Sequence, residues 1–287
     1  MNITKHALAA GITLSLLMGA PVWQSGAEAA VVTTQADGRA AFQHDISEIQ
    51  AVDQRNIIYY MDLTTAEGHS VYEGMISYVS DPVFHAKGSL KSTMEERDKT
   101  TQAFLPYYFQ EMDDGMVFYR QENGEWEKST QKDGDLLTLL DGTTEKDLLQ
   151  NVAHEAKGVK QLAQDGDINV YMVTMDGASI LNLMPDLSQG GVNPYVILAN
   201  TVLQDAGDVN VKVSYDTKRH EVRGIESDLS PALQRVAPRL AKTPLMSDFG
   251  KMLKDGKMVV AFGSMPSDIM GDISVPQDVV SSAKEAK

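Results

Sequence analysis

Apolar positions along the chain switch between two periods, and the switches mark its elements. Phe42, Ile46, Ile49 and Val52 recur at spacings of four, three and three, one stripe of a helix that Asp37 would cap and that ends near Arg55 and Asn56. From Ile57 the period is two. Met61, Leu63 and Thr65 alternate with Tyr60, Asp62 and Thr64, and after Glu67 and Gly68 the residues Tyr72, Ile76 and Tyr78 share a strand face. Beyond Asp81 and Pro82, Phe84, Ala86, Gly88 and Leu90 alternate with His85, Lys87, Ser89 and Lys91, a half-buried strand with one wet side. Segments 100–112, 116–120 and 125–128 follow, linked at Asp114-Gly115 and Asn123-Gly124. Such two-residue links favour tight hairpins because they accept positive φ. The pattern predicts an antiparallel meander.

The middle of the chain returns to the helical period. Thr144 and Asp147 resemble a capping box before Leu148, Leu149, Val152, Ala153 and Ala156, with Gly158 as the stop. Asn193-Pro194 opens a second stripe, Tyr195, Leu198, Ala199, Val202, Leu203 and Ala206, ended by Gly207. Strands are expected over 168–175, 209–215, 220–227 and 258–263. Ser230-Pro231 and Thr243-Pro244 each read as an N-cap followed by proline at the first helical position. A proline-punctuated tail covers 273–280. No linker-like tract or solenoid repeat interrupts 30–287, which is expected to be one domain.

The first 29 residues belong to a different category. Lys5 and His6 precede a 14-residue apolar stretch, 7–20, and Ala27-Glu28-Ala29 is a small-x-small cleavage site, so 1–29 reads as an export signal cleaved near Ala29. That stretch is too short to span a bilayer core of about 30 Å, and no later segment has the length and apolarity for a transmembrane helix. The expected location is periplasmic or secreted. The chain has no cysteine, which removes disulfides, thiolate metal sites, cysteine nucleophiles and a lipid-modified N-terminus together. Its net charge of −15 is unchanged by loss of the leader, where Lys5 and Glu28 cancel. With no basic stripe, such a surface repels phosphates, and no nucleic-acid partner is expected.

Catalytic and metal-binding motifs do not emerge. The five histidines of the mature chain, His44, His69, His85, His154 and His220, have no ligand spacing, and His154-Glu155 reads as a solvated helix face. Asp165, Asp167, Asn169 and Asp176 fit positions of a calcium loop, but Val170 occupies the position that needs glycine. Residues 170–175 alternate instead as a strand. Two Ser-x-x-Lys tetrads, at Ser129 and Ser281, lack the partner motifs of that enzyme class. No cofactor or metal is expected. What the sequence concentrates is apolar surface: twelve of its nineteen aromatics lie within 57–126, interleaved with Met61, Met75, Met94, Met112 and Met116. Aromatics with adaptable methionines suit a pocket for an irregular apolar guest, or pack the sheet against its helices.

The element order and two motifs, the hairpin 116–126 and the Val-Pro-x-Asp-Val-Val tail at 275–280, resemble the LolA/LppX-like superfamily, more closely the uncharacterised LolA-like envelope lipoproteins of Firmicutes-type bacteria. The resemblance spans about 42–283. It implies an α+β fold in which a strongly curved antiparallel sheet, an unclosed barrel, wraps around inserted helices and holds acyl chains in an apolar cavity. The chain departs from the lipoprotein members in lacking an attachment cysteine, which favours a diffusible shuttle over a tethered form. It also offers no arginine that matches a ligand contact of the carriers.

Three functions fit, in this order. The first is a non-catalytic exported protein that carries or senses a lipid, lipoprotein or other apolar ligand. The second is an interaction or envelope-sensing module with a protein partner. The third is a hydrolase using scattered carboxylates. For the carrier, Met61, Tyr72, Ile76, Tyr78, Phe84, Leu90, Phe104, Tyr108, Phe118 and Trp126 are expected to line the cavity, the last three and Phe84, Leu90 and Phe104 facing the concave side. Helix 244–253 or 194–206 would serve as plug or lid. The claim that matters most is that these side chains line a hollow instead of filling it.

Overall fold

A computed structural model of the chain describes residues 38–49, 54–79, 83–96, 99–113, 115–122, 124–131, 145–179, 204, 206–243, 247–265 and 271–285. The leader, the Thr144 cap and nearly all of the predicted helix 194–206 lie outside them.

In chain order the elements are α1 (Arg39–Ser47), β1 (Gln54–Thr64), β2 (His69–Val79), β3 (His85–Glu96), β4 (Lys99–Met112), β5 (Gly115–Glu122), β6 (Glu125–Gln131) and α2 (Glu145–Glu155). Then follow β7 (Gly158–Asp165), β8 (Ile168–Asp176), β9 (Asp208–Asp216), β10 (Glu221–Asp228), α3 (Ser230–Leu240), α4 (Ser247–Met252), β11 (Lys257–Met265), α5 (Gln277–Ser282) and β12 (Lys284–Glu285). The twelve strands among the described residues form one curved sheet in the order β12-β6-β5-β4-β3-β2-β1-β11-β10-β9-β8-β7. Every pairing is antiparallel except β12 with β6. The terminal strands of that order do not pair, so the ring stays open. Register shifts at 161–163 and at 222–224 insert bulges into β7 and β10, a device that bends strands.

Because side chains alternate, register sorts the whole sheet into two faces. The face on which the helices pack, the inner face, includes Val173 and Tyr171 of β8, Val213 of β9, Ile225 of β10, Val260 of β11 and Met61 of β1. It continues through Tyr72 of β2, Leu90 of β3, Leu105 and Phe109 of β4 and Phe118 of β5. Helices α1 and α2 fill the inner face of β7–β10: Phe42, Ile46, Leu149, Val152 and Ala153 pack with Tyr171, Val173, Val213, Tyr215 and Val222. Helices α3 and α4 cover the seam between β1 and β11, through Leu233, Val236, Leu240 and Leu253 against Leu63 and Met258.

One polar network locks α1 to the sheet. The buried Asp45 carboxylate accepts 2.8 Å and 2.5 Å hydrogen bonds from Asn169 Nδ2 and Tyr171 Oη. Arg39 donates from its guanidinium to the carbonyls of Ala153 and Ala156, the last turn of α2, where a cation also suits the helix dipole.

Several expectations shift. The first helix ends at Ser47, and Arg55 and Asn56 pair with Tyr78 and Ser77 in β1, because strand pairing overrides the helical stripe. Met112 pairs with Gly115, which opens β5 at φ 135° and so belongs to the strand instead of the turn; Asp114 lies outside the described residues. Gly158 stops α2 as expected but also begins β7, an edge strand whose single strongly buried apolar residue, Val159, gives no readable alternation. At α3 the capping acceptor is Asp228, which takes the Ser230 N–H and hydroxyl; the Ser230 oxygen accepts from Met258 N–H.

Burial, then the hydrogen bond to Asp45, push the Tyr171 phenol above its ordinary range. Tyr171→Phe is expected to lower stability by about 1.5–3 kcal/mol at neutral pH, the worth of a bond to a charged acceptor. A raised phenol makes the folded state hold its proton longer, so the wild type loses stability as pH rises above about 10. Urea denaturation should therefore show the gap between wild type and variant narrowing above that pH.

Candidate functional site

The inner face of β2–β5 is the region that α1 and α2 do not reach. Ile76, Phe84, Ala86, Tyr107, Phe109 and Met116 are buried there, with Ile57, Tyr78 and Phe118 packed against them. Every member of this cluster comes from strands β1–β5 or, for Phe84, from the residue before β3. Its rings form two groups: Phe109 stacks on Phe118 at 4.6 Å and Tyr107 meets both, while Tyr78 stacks on Phe84 at 5.9 Å. A second cluster, Tyr72, Leu90, Leu105 and Val260, adjoins it, edged by Met61, Ile225, Leu229 and Met258.

β3 supplies the low ground between these rings. Its inner-face positions include Gly88 and Ala86, which pair with Tyr107 and Phe109. A Cβ on Gly88 would overlap the Tyr107 ring, so the ring lies across the bare backbone of β3. Glycine is favoured at this position by contact, since any Cβ would turn the Tyr107 ring aside, with no demand from φ.

Seven of the ten sequence-predicted residues come together on this face: Met61, Tyr72, Ile76, Tyr78, Phe84, Leu90 and Phe118. Three do not. Phe104, Tyr108 and Trp126 occupy the other parity and stand on the outer face. Phe104 is 67% exposed. Tyr108 and Trp126 pack with Val117 and Tyr119 beneath the C-terminal segment, against Val275, Val279, Val280 and Ala283. The tail thus forms α5 and the short β12, which Lys284–Glu125 and Lys128–Glu285 ion pairs accompany. Burial, and then the nearby Asp278 charge on α5, raise the Tyr108 phenol pKa. Residues 104–109 are apolar throughout, so only strand parity sets Phe104 and Tyr108 opposite Leu105, Tyr107 and Phe109, and these last three are inner-face residues not among the ten.

The expected hollow is not seen at the deepest of these positions. Ala86, Leu90 and Phe109 are 0–1% exposed, so no water-sized space adjoins them. The half-buried Met61, Ile57, Tyr78 and Phe118 form the adaptable part of the face.

Arg120, in register with Tyr107, and its ion-pair partner Glu127 share the inner-face parity, and Glu111 accepts the Phe84 N–H; the histidines are distributed elsewhere. His69 lies 3.0 Å from Asp62 and 3.7 Å from Glu95 on the outer face. His44 is on α1, His85 bonds the Val83 carbonyl, His154 meets Glu155, and His220 faces Tyr215 in the β9–β10 turn. Among the described residues no three histidine or acidic side chains are grouped to hold a metal ion. Asp165 and Asp167 lie at the β7–β8 turn and Asn169 bonds Asp45, as the hairpin reading of that segment requires.

No family model and no curated protein matches the chain. Among solved structures it is similar to LprF from Mycobacterium bovis, with 11% identity, a TM-score of 0.40 and coverage of 85% of this chain and 99% of that one. It is also similar to a DUF1329 family protein from Desulfovibrio piger, with 8% identity, a TM-score of 0.26 and coverage of 84% and 96%. A beta-barrel-like protein of domain of unknown function DUF1849 from Brucella abortus has 12% identity, a TM-score of 0.19 and coverage of 75% and 99%.

The Gly88–Tyr107 contact can be tested directly. Gly88→Ala is expected to destabilise the fold by about 1–3 kcal/mol through overpacking, and by clearly less in a Tyr107→Ala background. A double-mutant cycle from urea denaturation measures that difference.

Proposed function

We propose that this protein is an exported, non-catalytic binding protein for a lipid, lipidated molecule or other apolar ligand, acting in the cell envelope as a carrier or sensor related to the LolA-like proteins. The observation that carries the reading is the asymmetry of the inner face. On β7–β10 two helices fill it; on β2–β5 the described residues that cover the backbone are the strands' own rings, with half-buried side chains at their margin. Burying one methylene is worth about 0.8 kcal/mol, so an acyl chain of sixteen carbons offers about 12 kcal/mol before ordering costs. Since the deepest residues are already packed, cargo enters by displacing side chains. Tyr107 over Gly88 is the first obstacle, and the half-buried Phe118 and Met61 are the next. No described helix is long and apolar enough to cross a membrane. The leader-like segment 1–29 supports export, and the sequence holds no cysteine to which a lipid anchor could be attached.

Exposed Phe104, with Met75 at 41%, favours a second reading in which the outer face meets a protein partner. Native mass spectrometry of gently purified protein separates the two, since a carrier arrives with co-purifying lipid. Leu90 is a poor site for a disruptive charge, because at 1% exposure it would unfold the cluster. Phe118→Asp is the better variant: retention of lipid should fall at least tenfold while circular dichroism stays native. Phe104→Ser, on the outer face, should leave retention unchanged; loss of lipid from it alone would remove the inner-face assignment.

A further inference from the structure

One polar atom on the inner face stands without a hydrogen bond. Ser92 of β3 is 1% exposed, and its Oγ has no hydrogen-bond partner. Register places it opposite Tyr72 of β2 and Ala103 of β4, two positions along from Leu90 on the same face. An alanine would fill this place without the penalty of a buried, unsatisfied hydroxyl. The fold alone therefore gives no reason for serine here.

The surroundings define what that hydroxyl can take. The inner-face residues across and along from it are Tyr72, Ala103, Leu90 and Met94, and beyond them Ser70, Met61, Thr101 and Leu105, none of which carries a charge. An ionised carboxylate or ammonium would be desolvated here without a counter-ion, whereas a neutral carbonyl would accept the serine hydrogen at little cost. Position adds direction. Ala103 and Thr101 are exposed, while Leu90, Leu105, Tyr107 and Ala86 are buried, so Ser92 stands at the boundary between the rim and the apolar interior. From Ser92 to Ala86, β3 runs about 20 Å at about 3.3 Å per residue. One acyl chain spans about half of a bilayer core of about 30 Å, and fits along that run. The half-buried Met61, Met94 and Met258 can move aside to admit it.

We infer that Ser92 is the polar anchor of this face, donating its hydroxyl hydrogen to the carbonyl of a neutral, ester- or amide-linked acyl chain whose tail runs along β3 toward Ala86. The inference rests on the ligand-binding reading above and specifies its ligand class. Equilibrium dialysis of the full chain against radiolabelled methyl palmitate, sodium palmitate and hexadecane tests it. The wild type should prefer the methyl ester over both others. Ser92→Ala should weaken the ester about tenfold, leave hexadecane unchanged, and melt at the same or a higher temperature without ligand. If the ester and hexadecane bind equally to wild type and variant, or if palmitate binds as tightly as the ester, the anchor is overturned and the carrier reading stands. If none of the three probes binds the wild type, the carrier reading falls, and the anchor with it.

Discussion

An open, curved sheet has to cover one long apolar face, and the way it does so governs the rest of the molecule. Helices can shield only what they lie on. α1 and α2 shield β7–β10, and their position depends on a single buried carboxylate: Asp45 joins α1 to Tyr171 and Asn169 of β8. Arg39 then ties α1 to the end of α2, so the two helices dock as a pair. α3 and α4 shield the β1–β11 seam. Beyond the seam, among the described residues, large rings on β4 and β5 fold over small residues on β3. Among those residues the region with the least helical cover is also the one richest in aromatic surface.

The outer face obeys the complementary constraint. Over β2 and β3 it is wet, with Lys91 paired to Glu73 at 3.0 Å and His69 beside Asp62. Over β4–β6 it is apolar, and the C-terminal segment exists as structure because Val275, Val279 and Val280 have that patch to cover. The ends of the sheet are treated differently. One ends in the two-residue β12, too short to template another chain; at the other, Gly38 at the start of α1 donates its N–H to the Val159 carbonyl of β7.

The meander was legible in the sequence because β3 keeps a clear period of two and the Asp114-Gly115 and Asn123-Gly124 links bracket β5. β8 was legible from its alternation, which the strand paired with β7 follows. What escaped were places where a partner far along the chain decides the outcome. Nothing local distinguishes Arg55 and Asn56 as strand until β2 pairs with them, and nothing in Gly158–Asp165 announces an edge strand. The face assignments failed in one instructive way. Aromatic content alone placed Phe104, Tyr108 and Trp126 with the others, but aromatic residues were expected on one side where the tail makes a second apolar surface on the other. The unbroken apolar run 104–109 carries no alternation to say which parity faces inward; the tail's role was invisible because covering is a tertiary event.

Self-packing on the inner face bears on what a ligand could gain there. A ligand that enters replaces contacts the rings already make, so its net stabilisation is its own burial less the cost of turning those rings out. Fully exposing a large apolar side chain costs about 1.5–3 kcal/mol, and two or three such displacements would offset about half of the roughly 12 kcal/mol gross gain of a sixteen-carbon chain. Binding under the proposed function is then moderate, and release requires only that the rings fall back. A preformed, dry hollow would hold the same chain far more tightly and surrender it less readily. The packed face with a glycine beneath its central ring is therefore better suited to a protein that passes its cargo on than to one that stores it.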